Sequence, residues 1–138
     1  MQHYKLVIFD WDGTLMDSVA RIVSSMQSAA KTVDLPIPLA HDVKQIIGLS
    51  LPVALKQLFS SITAKQIDEM LVQYKYQYIE GDKTPTPLFD NAKNLLTLLR
   101  ENNKLLAVAT GKGREGLNRV LQVSNTSDLF HTTRCAGE

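Results

Sequence analysis

Apolar and polar residues follow two different periods along the chain, and the change of period predicts where strands and helices lie. Continuous apolar runs occur at Leu6–Phe9 and at Leu105–Thr110. Such runs are typical of strands in a parallel sheet, and we expect the first to be buried on both faces. Elsewhere apolar residues recur every three or four positions, which predicts amphipathic helices. With a third strand expected at His131–Cys135, this order predicts an α/β protein with a parallel sheet and right-handed crossovers.

A block of helix is inserted into this alternating pattern. Four helical patterns occupy residues 17–83, which is too long for an ordinary crossover between neighbouring strands. A proline-rich segment at 83–87 can continue neither a helix nor a central strand. We therefore predict a partial Rossmann-like core formed by residues 1–16 and 84–138, with an inserted four-helix domain at residues 17–83.

One helix start in the inserted block carries a strong local signal. Thr63 is followed three residues later by Gln66, just before an apolar periodic stretch. This spacing is that of a capping box, in which each side chain bonds to the backbone N–H of the other residue. We therefore predict that the last helix of the block begins at Thr63.

Composition and charge limit the classes of partner. The chain has 138 residues, of which 44% are hydrophobic and 21% charged, as is typical of a globular domain. A net charge of +1 offers no positive excess for nucleic acid, whereas a small anion needs only a local positive site. Apolar stretches are too short for a membrane span, and the single cysteine, Cys135, cannot form an internal disulfide. We therefore expect a cytoplasmic protein with neither a membrane nor a nucleic acid as partner.

Two aspartates directly after the first predicted strand are the leading candidates for catalysis. Ligands of open α/β sheets bind at the carboxyl ends of strands, where Asp10 and Asp12 lie. Gly13 allows a sharp turn, so that both carboxylates can reach one pocket. An ionised carboxylate can attack phosphorus, and a protonated neighbour can give its proton to the leaving oxygen. The alternative is a structural turn, because Asp-Gly is common in turns.

The segment Asp-Trp-Asp-Gly-Thr-Leu-Met-Asp-Ser at residues 10–18 closely resembles the first motif of the haloacid dehalogenase-like hydrolase superfamily. The resemblance implies that Asp10 is the nucleophile and Asp12 the general acid and base. It also implies a Mg²⁺ cofactor bound by Asp10 and by the main-chain carbonyl of Asp12. An aspartate at position 12 points to phosphatases or phosphomutases rather than dehalogenases.

The inserted helical block resembles the cap domain of the phosphoglycolate phosphatase and β-phosphoglucomutase branch of that superfamily. The resemblance therefore implies a Mg²⁺-dependent phosphatase that hydrolyses a small phosphorylated metabolite through an aspartyl-phosphate. A phosphomutase of the same branch is the alternative, because it would share every motif found here.

A second motif follows the second predicted strand. The resemblance assigns Thr110 and the amide of Gly111 to the transferred phosphate, and a hydroxyl with a backbone N–H at a helix start suits an anion. Lys112 either adds positive charge to that phosphate site or is a solvated surface lysine.

The same stretch supports a competing prediction. Residues Gly111–Gly116 have the spacing G-x-G-x-x-G between a strand and a helix, and Glu138 lies 22 residues beyond Gly116. This context is typical of dinucleotide binding, so a nucleotide-binding module is the rival hypothesis. That hypothesis leaves Asp10–Thr14 and the helical insertion unexplained.

The resemblance also implies a lysine and an acidic pair on later strands, and only three residues follow Cys135. We therefore expect the chain to be a partial one, incomplete at its C-terminus. A chain without those residues is expected to bind Mg²⁺ weakly and to show little or no activity.

Overall fold

The structure is a computed structural model, which describes residues 3–138. The chain forms two compact units. The core unit comprises the residues up to Asp17 together with Thr86–Glu138, and the helical unit comprises Ser18–Pro85. None of the helices formed by the described residues has the length and apolar character needed to cross a lipid bilayer.

The elements alternate as an α/β protein requires. In chain order they are β1 (Leu6–Phe9), α1 (Val19–Thr32), α2 (Ala40–Gln45), α3 (Leu51–Leu58), α4 (Ala64–Tyr76), α5 (Ala92–Glu101), β2 (Leu105–Ala109), α6 (Arg114–Val123) and β3 (Thr132–Arg134). A π-helical turn, Gln77–Gly81, extends α4, and a 3₁₀ turn, Ser127–Leu129, precedes β3.

The core unit is built on a parallel sheet. Its strands, as far as the structure describes them, have the order β1-β2-β3. Phe9 pairs with Val108, and Val108 pairs in turn with Thr133, so the carboxyl ends of the three strands lie at one edge of the sheet. The predicted α/β fold with a parallel Rossmann-like sheet is therefore confirmed.

The first strand differs from its prediction. Leu6 and Ile8 of β1 are 46% and 59% exposed, so β1 is not buried on both faces. The continuous burial belongs instead to β2, where Leu106–Val108 are buried. The reason is position: β2 is the central strand, whereas β1 pairs with β2 alone among the described strands. An apolar sequence run thus does not by itself distinguish a covered strand from an edge strand.

The helical unit contains α1 to α4, and local sequence signals account for one of its helix starts. Thr63 is the N-cap of α4: Gln66 N–H donates to Thr63 Oγ1 at 3.2 Å, and Thr63 N–H donates to Gln66 Oε1 at 2.9 Å. The predicted capping box is therefore confirmed. Fully buried side chains give the unit a core of its own, and they include Ala29, Ala30, Val43, Leu55 and Met70.

Candidate active site

The two sequence motifs meet at one edge of the core-unit sheet. Asp10 directly follows β1, and Thr110 directly follows β2. Because Phe9 and Val108 are partners in the parallel register, the residues after them leave the sheet side by side. The structure thus brings together two segments that lie about a hundred residues apart in the sequence.

A tight loop follows β1 and is fixed by the backbone of Trp11. The Trp11 carbonyl accepts from the N–H groups of Thr14, Leu15 and Met16 at 3.1, 3.0 and 3.3 Å. Gly13 has a φ of +76°, which glycine adopts without the steric cost of a side chain. The sequence interpretation of Gly13 as the turning point is therefore confirmed.

The side chain of Trp11 anchors this loop in the core. It is fully buried, its Nε1–H donates to Met16 Sδ at 3.3 Å, and its ring packs edge-on against Phe130 with centroids 6.0 Å apart. A rigid anchor between Asp10 and Asp12 limits how far either aspartate can move.

The two aspartates lie in different surroundings. Asp10 is exposed, and its Oδ2 accepts a long hydrogen bond of 3.4 Å from Thr14 Oγ1. The side chain of Asp12 is only 10% exposed and forms an ion pair with Lys112, with 3.3 Å between Asp12 Oδ2 and Lys112 Nζ. An accessible carboxylate thus lies next to one that is held in place.

Lys112 is not a solvated surface residue. Its side chain is 7% exposed, which excludes that alternative. Its backbone is held on both sides, because Lys112 N–H donates to Thr110 Oγ1 at 3.1 Å and Ala136 N–H donates to the Lys112 carbonyl at 3.2 Å. In this structure the Lys112 ammonium group therefore pairs directly with the Asp12 carboxylate.

The residues after β2 offer hydrogen-bond donors. The Thr110 oxygen accepts from Lys112 N–H, so the hydroxyl proton can be donated outward. Gly111 lies in the bend between β2 and α6. The N-cap of α6 is Gly113, which has no side chain to cap the first N–H groups of the helix. Such a start of a helix favours an anion.

The donor set after β1 fits a magnesium ion. Mg²⁺ is usually held by one or two carboxylates, with water and substrate oxygens completing the shell. Asp10 supplies a carboxylate and the main chain of Asp12 a carbonyl oxygen, and the exposure of Asp10 leaves room for water beside it. Within residues 3–138 no group of three or more acidic, histidine or cysteine side chains could enclose a metal.

The contacts of the glycine-rich stretch argue against dinucleotide binding. Glu138, which that hypothesis would use to bind a ribose, instead pairs with Arg114 through two bonds of 2.8 and 2.7 Å. Arg114 also donates to Thr133 Oγ1 at 2.6 Å. The Lys112 side chain lies directly against Gly116, over the first turn of α6. The contacts of Glu138 and Gly116 within the protein thus account for both residues without a nucleotide.

The Arg114–Glu138 pair predicts a pH effect in the turn that supports Lys112. The hydrogen bond from Arg114, followed by the backbone bond from Cys135, lowers the pKa of Glu138 from 4.5 to about 2. A lowered pKa stabilises the fold fully above pH 4.5, and the contribution is lost as the pH falls towards about 2. In a carboxyl ¹³C titration of Glu138, we expect Arg114→Met to raise the midpoint towards 4.5. An unchanged midpoint would show that the pair does not form in solution.

Comparisons with known proteins identify a family. Residues 7–137 match the family described as haloacid dehalogenase-like hydrolase. Phosphoglycolate phosphatase of Mannheimia succiniciproducens is 29% identical over 138 residues, covering 94% of this chain and 62% of the relative. Tyrosine-protein kinase PtkA of Mycobacterium tuberculosis is 35% identical over 118 residues, covering 86% of this chain and 40% of the relative.

Solved structures share the fold. A predicted phosphoglycolate phosphatase from Haemophilus somnus 129pt superimposes with a TM-score of 0.88 at 26% sequence identity, covering 97% of this chain and 63% of that protein. The chain therefore spans about three-fifths of the length of the phosphatase relatives that it matches.

Sequence reasoning missed two features of the site. It did not predict that Lys112 would pair with Asp12, because the pairing depends on how β1 and β2 align. It also gave Gly116 no role beyond the glycine motif. The local pattern gave no signal for this contact, because Lys112 precedes the N-cap Gly113 and is not part of α6.

Proposed function

Because the chain belongs to the haloacid dehalogenase-like hydrolase family, we propose that the protein is a Mg²⁺-dependent phosphatase that acts through an aspartyl-phosphate on Asp10. Its substrate is a small phosphorylated metabolite. The main support is that an exposed Asp10, a fixed Asp12 and the donors after β2 occupy neighbouring strand ends of one compact unit.

In the first step a carboxylate oxygen of Asp10 attacks phosphorus. A bond from phosphorus to this oxygen forms while the bond to the ester oxygen breaks. Asp12 enters this step protonated, with its ion pair to Lys112 replaced by a hydrogen bond, and gives its proton to the leaving oxygen. In the second step Asp12 takes a proton from water as the water oxygen attacks phosphorus. The bond to Asp10 then breaks, inorganic phosphate leaves, and both side chains return to their starting states.

The remaining residues position the transferred group and the acid. The Thr110 hydroxyl and the Gly111 N–H would donate to the phosphate oxygens, near the uncapped start of α6. Lys112 holds the Asp12 carboxyl by its ion pair and brings positive charge close to the incoming dianion. The Asp10 carboxylate and the main-chain carbonyl of Asp12 would hold Mg²⁺, which would supply charge neutralisation between the attacking carboxylate and the phosphate.

The relatives suggest where to look for the substrate. Phosphoglycolate phosphatases are among them, so phosphoglycolate is the first compound to test. The helical unit lies between the two segments of the core unit in the chain, which supports the proposal that it is a cap domain with a role in substrate choice.

A phosphate-release screen tests this proposal. Phosphoglycolate, hexose phosphates and nucleoside monophosphates are offered with and without Mg²⁺, and both inorganic phosphate and isomeric phosphoesters are measured. The screen is run on this chain and on a chain extended at its C-terminus, and phosphate release that depends on Mg²⁺ is expected from the extended chain. An isomeric sugar phosphate without net phosphate would identify a phosphomutase, and tight NAD binding without turnover would favour the nucleotide-binding alternative.

A second candidate function is favoured by one observation. The 35% identity to tyrosine-protein kinase PtkA makes a tyrosine hydroxyl the alternative phosphoryl acceptor. Incubation with ATP and a tyrosine-containing peptide tests it. If phosphotyrosine forms faster than inorganic phosphate, the acceptor in the second step is tyrosine rather than water.

A further inference from the structure

The Lys112 side chain passes so close to position 116 that a side chain there would crowd it. A Cβ atom added to Gly116 would lie 3.3 Å from Lys112 Cγ, 3.5 Å from Cδ and 4.0 Å from Nζ. The first distance is tighter than ordinary van der Waals contact. The aliphatic stem of Lys112 therefore lies against the bare backbone of the first turn of α6.

Both ends of this lysine are fixed. Its backbone is held by the Thr110 hydroxyl and by the N–H of Ala136, and its ammonium group lies 3.3 Å from Asp12 Oδ2. To admit a methyl group at position 116 the stem must shift by a few tenths of an ångström, and we expect that shift to reach one of its ends. The weaker end is the ammonium, because it lies at the end of a flexible chain.

Glycine at position 116 destabilises α6 relative to alanine, so its presence there needs an explanation. It is the third residue of α6, and glycine in a helix lowers the folding equilibrium constant by roughly fivefold relative to alanine. Its φ is not in the left-handed region, so the backbone itself does not require glycine. The contact with Lys112 supplies the reason.

We propose that Gly116 is a positioning residue, because its lack of a side chain lets the Lys112 ammonium lie beside Asp12. We call this arrangement of Gly116, Lys112 and Asp12 the lysine seat. In this proposal the Gly111–Gly116 stretch positions a lysine and does not bind a nucleotide. The catalytic consequence rests on the proposed function, because it assumes that Asp12 moves the proton. The seat itself does not depend on that assumption.

Substitution at Gly116 separates stability from activity. Helix propensity alone should raise the folding equilibrium constant of Gly116→Ala by up to roughly fivefold, and the lost coupling of Lys112 with Asp12 should offset part of this gain. Gly116→Ala should nevertheless lower kcat/KM by roughly tenfold, because a displaced ammonium no longer holds Asp12. Gly116→Leu, a good helix former with a larger side chain, should lower kcat/KM further. Asn118→Ala is the control, since it raises helix propensity at an exposed position of the same helix that has no role in the proposed site.

A readout without catalysis tests the seat directly. A double-mutant cycle of Lys112→Met and Asp12→Asn gives the coupling of the two side chains in the folding equilibrium constant. Unfolding is followed by the fluorescence of Trp11, the single tryptophan. We expect several-fold coupling in the wild-type background and in the Asn118→Ala background. In the Gly116→Ala and Gly116→Leu backgrounds we expect coupling near unity.

The two assays distinguish the failure of each proposal. If the protein releases no phosphate but the Gly116 variants lose the coupling of Lys112 with Asp12, the lysine seat is supported and the proposed phosphatase reaction is contradicted. Full coupling in the Gly116→Leu background would overturn the seat, whatever the activity. Unchanged kcat/KM despite lost coupling would limit Gly116 to a structural role and contradict its role in catalysis.

Discussion

Asp10→Asn is expected to reduce phosphate release by at least about 10³-fold, because an amide is not a nucleophile toward phosphorus. Asparagine has nearly the same shape, and the Thr14 hydroxyl that donates to Asp10 at 3.4 Å can equally donate to the amide oxygen. The loop fixed by Trp11 should therefore remain folded. The measurement is single-turnover phosphate release, with the intact mass of the quenched protein read for one added phosphoryl group.

Asp90→Asn is the matched control for that experiment. Asp90 also belongs to the core unit and is exposed, but it lies in the turn before α5 rather than after β1. It should retain wild-type turnover and the covalent phosphoryl group. Activity of Asp10→Asn within tenfold of the wild type would show that another group attacks phosphorus, and the aspartyl-phosphate mechanism would have to be abandoned.

The sequence predicted the fold where local rules decide the outcome. The capping box of Thr63 and Gln66 forms because both bonds lie within four residues, so no distant part of the chain can alter them. The turn at Gly13 forms for a similar reason, since positive φ favours glycine there. The third strand, expected at His131–Cys135, is observed at Thr132–Arg134.

Predictions that depend on neighbours in space were weaker. Nothing in the run Leu6–Phe9 indicates whether its faces are covered, and Ile8 is in fact 59% exposed. The burial of Lys112 could not be predicted either, because lysine is seldom buried without a partner and that partner lies on the loop after another strand. The local sequence thus indicated which residue types carry the chemistry, whereas the sheet register determines which of them meet.

The second prediction with a large effect concerns the helical unit. Arg21 of α1 is only 5% exposed, and its guanidinium donates from Nε to the Tyr78 carbonyl and from Nη1 to the Thr84 carbonyl, both at 2.9 Å. It also lies 5.3 Å from the centroid of the Tyr78 ring. One side chain thus joins the first helix of the unit to its last turn and to the segment that leaves it.

The charge of Arg21 acts on a second buried group. Asp82 is 8% exposed, and its carboxylate is attracted by the charge of the Arg21 guanidinium. It also accepts a 2.8 Å hydrogen bond from Thr84 N–H. If the guanidinium is removed, two carbonyl groups lose a charged donor and a buried carboxylate loses its nearby cation. Leaving such groups uncompensated is costly because they can no longer recover the solvation that they lost on folding.

Arg21→Met, which keeps an unbranched stem but removes every N–H donor, is expected to lower the free energy of unfolding of the helical unit by about 3–5 kcal/mol. Arg21→Lys should lie between this variant and the wild type, because one ammonium cannot reproduce the planar fork that joins Tyr78 to Thr84. Lys31→Ala, at an exposed position of the same helix, is the control and should change stability by less than about 0.5 kcal/mol.

Urea unfolding is followed by far-ultraviolet circular dichroism for the helices and by Trp11 fluorescence for the core unit. A loss below about 1 kcal/mol for Arg21→Met would mean that water satisfies the two carbonyls and that Arg21 is not the clamp of this unit.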